Sequence, residues 1–160
     1  MITQDTINQV WTAAHKYNEP FAMTIMGVWL YEGKIVMQDV QTAYKILQNM
    51  VNANVLWARD LFSYISSIQT PDSNLSQHVI ISLDAIQQLE NFAMQGNPYA
   101  MVALGQMLYE GYSVPQNKQA GLIYLQKSSQ MGCLFAQHIF QEFLNNERKP
   151  TSDYSYIFNN

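Results

Sequence analysis

Apolar residues recur along this chain at three- and four-residue intervals, the spacing of one face of an amphipathic helix. The pattern is clearest over 98–132, where Ala100, Leu104 and Met107 or Leu108 mark one stripe and Leu122, Leu125 and Ser129 a second. The punctuation agrees with the periodicity. Asn97 suits a cap, and Pro98 suits the first helical turn, where no backbone N–H is needed. Gly111 suits a left-handed helix exit. Val114-Pro115 reads as an extended connector, Asn117 as the cap of the next helix and Gly132 as its end. No strand signal intervenes, so the segment predicts one αα-hairpin. The same rhythm predicts about eight helices, near 4–17, 20–32, 39–52, 54–68, 80–95, 98–110, 117–131 and 133–145. The turn-rich stretch 69–79 and a polar tail over 146–160 are expected to be irregular, with Tyr154, Tyr156, Ile157 and Phe158 as the side chains able to anchor the tail.

The hairpins are copies. Residues 20–62 align without a gap on 98–140, and sixteen of the 43 positions are identical, including the run Leu30-Tyr31-Glu32-Gly33 against Leu108-Tyr109-Glu110-Gly111. An aromatic-Ala pair at Phe21-Ala22, Trp57-Ala58, Tyr99-Ala100 and Phe135-Ala136 divides this shift into units of about 36 residues, the middle one carrying a six-residue insertion within 69–77. Fixed-period similarity of this kind signals a repeat array. The units fall at about 20–54, 56–97 and 98–132, with a half unit at 133–145 and an N-terminal helix at 4–17, so 1–145 forms one array. Small residues at Ala22, Gly27, Ala58, Ala100, Gly105 and Ala136 let helix axes approach closely.

These residues resemble the Sel1-like repeats, a subclass of tetratricopeptide-like αα-solenoids. The later copy matches at Ala100-Met101, Leu104-Gly105, Gly111, Val114-Pro115-Gln116-Asn117, Tyr124, Lys127 and Gly132. The earlier copy matches at Ala22, Met26-Gly27, Gly33, Val36, Gln38-Asp39 and Ala43. Ile35 and Ser113 depart from the pattern where a connector glycine is expected, Leu30 and Leu108 where a tyrosine is, and Gly121 where an alanine is. The resemblance implies an all-α, right-handed αα-hairpin solenoid that acts as a protein-interaction scaffold, often in bacterial signalling, secretion or host contact. A cysteine-rich, disulfide-stapled branch of the family is not matched, because Cys133 stands alone.

Composition narrows the function. A net charge of −4 with eight Lys and Arg spread along the chain offers no concentrated basic face for nucleic acid. No apolar run reaches the roughly 18 residues that span a bilayer. The opening Met1-Ile2-Thr3-Gln4-Asp5 lacks the pattern of a secretory signal, so the expected setting is the bacterial cytoplasm, or translocation without an N-terminal signal peptide. Catalysis finds little support, and no catalytic, cofactor or metal residues are assigned. His15, His78 and His138 share no ligand spacing, and Arg59 and Asp60 read as a solvated helix face. Cys133 opens a helix, which can lower a thiol pKa, but it lacks a basic neighbour and reads as a small buried hydrophobe. Glu32 and Glu110 match through duplication, each just before a helix-ending glycine.

The expected ligand is therefore another protein. The residue before each repeat alanine is aromatic in all four units, and Phe21, Trp57, Tyr99 and Phe135 are expected to line up on stacked first helices, with Ile25 and Leu61 one turn further on. Val28-Trp29 in the first copy stands against Gln106-Met107 in the second, extending the candidate partner surface to Val28 and Trp29. These side chains either form a groove that binds a protein segment or wedge between hairpins as core. The leading expectation is an adaptor or secretion and host-interaction protein. The alternatives are an immunity protein that blocks a cognate toxin and, more remotely, a cell-envelope ligand-binding protein or enzyme.

Overall fold

A computed structural model of the chain describes residues 1–148, and among these it contains nine helices and no strand. They are α1 (Gln4–His15), α2 (Pro20–Glu32), α3 (Val40–Asn52), α4 (Leu56–Ser67), α5 (Leu75–His78), α6 (Leu83–Met94), α7 (Pro98–Glu110), α8 (Lys118–Gln130) and α9 (Leu134–Arg148). Local chemistry sets the boundaries. Asn97 accepts from the amides of Tyr99 and Ala100 ahead of Pro98, and Asp39 and Asn117 cap α3 and α8 from matching positions. Gly33 and Gly111 close α2 and α7 at φ of 71° and 78°, a conformation that costs other residues more.

α2 and α7 are apolar on nearly every side and accordingly lie at the centre. Each packs on the second helix of its hairpin through a glycine. A Cβ on Gly27 would come within 2.8 Å of Leu47, and one on Gly105 within 2.7 Å of Leu125, so these positions set how closely the axes approach. The two central helices also meet each other at their starts. The side chain of Asn97 donates to Glu19, its counterpart in the first copy, at 2.7 Å. Equivalent residues that touch mark the local axis relating the two halves.

The internal duplication is larger than the sequence comparison suggested. α1, expected as an extra N-terminal helix, is the counterpart of α6. Thr3 and Ser82 precede the two helices, Val10 and Leu89 are wholly buried, and Ala14 and Ala93 follow one turn later. One extra residue at 16–17, between the end of α1 and Asn18, moves this pair out of the register of the rest, and Asn18, at φ 51°, matches Gly96 at φ 92°. The halves α1–α4 and α6–α9 thus repeat each other, and the array closes on itself. Gln88 on α6 accepts from the Leu56 amide at 2.8 Å and donates to the Asn54 carbonyl at 2.8 Å, capping α4. Gln9 on α1 does the same for α9, accepting from the Leu134 amide and donating to the Gly132 carbonyl, both at 2.7 Å. The half unit begun by α9 is completed by the helix at the other end of the chain.

Three further expectations change. The stretch 69–79 contains α5, because the wholly buried Leu75 anchors it between α2 and α4. Polar bonds then hold it in place: Asp72 takes bonds from Tyr64 and His78, and Lys34 donates to Asn74. α9 runs through Asn146 and Glu147 to Arg148, where the tail was expected to begin. There Glu147 accepts from Tyr109 and from Lys118. Tyr154, Tyr156, Ile157 and Phe158 lie outside the described residues. Arg59 and Asp60 are not a solvated face: Arg59 grips Asp84 through two bonds of 3.0 and 3.1 Å, and Asp60 accepts from the Ser82 amide and hydroxyl, latching α4 to α6.

Candidate partner-binding groove

The starts of α4 and α9 and the later turns of α2 and α7 surround two adjoining clefts, of about 200 and 50 Å³. Ile25, Val28, Trp29, Trp57 and Phe135 line the larger one, and Trp57, Leu61, Ala103 and Met107 the smaller. Trp57, Ser76 and Gln106 belong to both, so the two form one groove. They are also counterparts under the internal duplication: Trp29 corresponds to Met107, Val28 to Gln106, Ile35 to Ser113 and Phe135 to Trp57. Because the halves differ at these positions, the two ends of the groove differ, the wider one holding Trp29 and Phe135 and the narrower one Met107 and Ser113. Trp29 fixes the wide end by meeting the Phe135 ring edge-on, with centroids 5.0 Å apart.

Every side chain singled out from the sequence is buried: Phe21, Ile25, Val28, Trp29, Trp57, Leu61, Tyr99 and Phe135 are all at most 8 % exposed. The four aromatics do not form one row. Trp57 and Phe135 reach the groove floor. Phe21 and Tyr99 lie at the opposite ends of α2 and α7, where Phe21 packs on Phe92 and Tyr99 faces a different cleft. The repeat spans two units, so Phe21 and Tyr99, as counterparts, share one environment and Trp57 and Phe135 share another.

The groove rim carries residues that the sequence did not bring together. Glu32, Glu110, Glu142 and His138 stand around the apolar floor. Glu32 accepts from the amide and hydroxyl of Ser76 at 3.1 and 3.2 Å, which seats α5 against the groove. The Glu110 carboxyl is raised above its ordinary pKa, first by partial desolvation and then by the charge of Glu142. Two carboxylates near one apolar surface favour an incoming cation. Glu32 and Glu110 stood out in the sequence as a duplicated pair. Ser76 and Glu142 carried no signal, since their proximity depends on α5 and on the closure of α9 against the rest.

Nucleophilic chemistry has no support at Cys133. Its thiol is buried and its pKa is raised by that burial, the opposite of an activated thiolate. No helix among the described residues is long and apolar enough to cross a membrane.

The fold and groove define an array of αα-hairpins that closes on itself and presents a recessed surface. The family model for the Sel1 repeat matches residues 20–54 and 98–133, and the chain belongs to the Sel1-like repeat family. The two matched segments are the hairpins α2–α3 and α7–α8. The α4–α6 pair and the α9–α1 pair, which join them, lie largely outside the match. No curated protein and no solved structure matches the chain. Sel1 repeats are in general protein–protein interaction modules, and proteins built from them are typically non-enzymatic.

Proposed function

We propose that this protein is a non-enzymatic adaptor that holds a segment of another protein in the groove between α2, α4, α7 and α9. The setting proposed is bacterial, in the cytoplasm or after translocation, as an adaptor or a secretion and host-interaction protein. One observation carries the reading: an apolar floor built on Trp29, Trp57 and Phe135 is rimmed by Glu32, Glu110 and Glu142. Burial of apolar side chains supplies affinity, and the carboxylates select a segment bearing lysine or arginine. The floor aromatics are fixed by their neighbours, so the groove is preformed and little ordering is lost on binding.

The test uses charge reversal at the exposed rim, where folding is least disturbed. Tagged wild-type protein and a Glu110→Lys, Glu142→Lys variant are compared for capture of partners from the source cells. Recovered proteins are identified by mass spectrometry, and thermal midpoints are measured alongside. The reading expects a partner that the wild type retains, the variant loses at unchanged midpoint, and rising salt releases. Equal recovery by both proteins contradicts it. A single recovered toxin encoded beside this gene replaces the adaptor role with an immunity role.

A further inference from the structure

The internal duplication also shows where one junction between the halves lacks side chains that the other has. At the α4–α6 junction the Phe92 ring packs edge-on against Phe21 with centroids 4.9 Å apart. At the α9–α1 junction the counterparts of Phe92, Phe21 and Val55 are Ala13, Tyr99 and Cys133. The missing ring leaves a cleft of about 460 Å³ lined by Ala13, Thr12, Tyr99, Met131 and Cys133, with Asp5 at its edge. Tyr99 lines the cleft at 6 % exposure, and its hydroxyl, bonded to no group among the described residues, keeps contact with solvent. Burial, then the charges of Cys133 and Glu19, raise the phenol's pKa, so the group stays protonated and able to donate. The edge is unmatched too. Asp84 is held by Arg59, whereas its counterpart Asp5 lines the cleft and the counterpart of that arginine is Gln137.

We propose that this cleft is a second protein-binding site, separate from the groove, which accepts a segment carrying an aromatic side chain and a basic one. The aromatic ring takes the place that Phe92 fills at the other junction, Tyr99 Oη donates to a carbonyl of the segment, and the basic residue pairs with Asp5. The segment thereby supplies both side chains that distinguish the α4–α6 junction from the α9–α1 one. Asp5 and Ala13 are eight residues apart on one helix, or about 12 Å. An extended segment covers that distance in about four residues, which sets the aromatic-to-basic spacing.

The experiment is an amide-resolved NMR titration of the full chain with the peptide acetyl-Gly-Phe-Gly-Ser-Gly-Arg-Gly-amide. Shifts are expected at Thr12, Ala13, Tyr99 and Gly132, with saturation in the millimolar range. Replacing the peptide's phenylalanine by glycine should weaken binding at least about tenfold, as loss of an anchor does. Tyr99→Phe should weaken it about three- to tenfold, the worth of one hydrogen bond. Ala13→Phe places the protein's own ring in the cleft, so it should abolish the shifts while raising the thermal midpoint. Absence of shifts in the wild type, their persistence in Ala13→Phe, or shifts centred on Trp57 and Gln106 would each overturn the proposal. Two other occupants are separated by the same materials. A wild-type dimer that Ala13→Phe dissociates assigns the cleft to a second copy. Binding seen only in a chain ending at Arg148 assigns it to residues 149–160. Either result overturns the proposal as stated.

Discussion

The two junctions that join the halves, α4 with α6 and α9 with α1, are built on one plan and finished differently. Both use a glutamine from the neighbouring helix to cap the helix they receive. At α4–α6 the plan is reinforced by the Arg59–Asp84–Asp60–Ser82 latch, by Phe92 packed on Phe21, and by the chain itself passing through α5. At α9–α1 the corresponding residues are Gln137, Asp5, His138, Thr3, Ala13 and Tyr99, and no covalent connection is present within the described residues. Duplicated architecture has thus diverged into a fastened junction and a seam. The seam matters for function because α9 forms one wall of the groove.

The largest expected effect lies where the first half meets α9. Trp29 is 3 % exposed and packs on Phe135, so Trp29→Ala should cost about 3–5 kcal/mol in denaturant unfolding. Met107→Ala, its counterpart, should cost about 2–5 kcal/mol. A Trp29→Ala loss below about 1 kcal/mol together with loss of a partner would move Trp29 from the groove floor to the binding contact.

Next come the close approaches shared by the halves. A Cβ at Gly105 meets Leu125 at 2.7 Å and the Gly121 carbonyl at 3.1 Å, and one at Gly27 meets Leu47 at 2.8 Å. Gly105→Ala should cost about 1–3 kcal/mol, and Gly27→Ala somewhat less, because only side-chain atoms oppose it there. Equal costs would mean that backbone crowding at Gly121 does not limit the second half.

The glutamine caps should contribute about 1 kcal/mol each, with Gln88→Ala lowering global stability. Gln9→Ala should chiefly speed amide exchange in α1 and at Leu134, since the seam can open locally. Identical exchange profiles for the two variants would remove the distinction between junction and seam.

The smallest effect is in the pH dependence. Arg59, with Ser82, holds the Asp84 carboxyl well below the ordinary carboxylate range. That contribution is present above about pH 4 and is lost as pH falls through the lowered value. Asp84→Asn should therefore flatten the acid limb of the stability profile. Urea midpoints at pH 7 and pH 3 measure the difference.

Much of this was legible in the chain. Periodicity, the Asn97, Asp39 and Asn117 caps and the Gly33 and Gly111 exits placed the major helices, because each depends on residues close in sequence. The equivalence of α1 and α6 was not seen. One extra residue at 16–17 shifts their register, and the identities that remain, such as Gln9 with Gln88 and Ala14 with Ala93, are few. α5 was missed because its four residues are too short to show a period, and its stability comes from burying Leu75. The aromatic spacing marked positions that are all buried, but spacing alone does not reveal which of them face the groove. The structure repeats in pairs of units, which is why Phe21 and Tyr99 lie away from the groove while Trp57 and Phe135 reach it.

Closure of α1 on α9 can be observed directly in solution. In a three-dimensional ¹⁵N-edited NOE spectrum, the side-chain amide of Gln88 should show a cross-peak to the Leu56 amide proton, which serves as the internal reference. The account predicts a matching cross-peak between the Gln9 side-chain amide and the Leu134 amide proton. The Gln88 cross-peak without the Gln9 one would show an open array, and would contradict both the seam and the groove wall that depends on it.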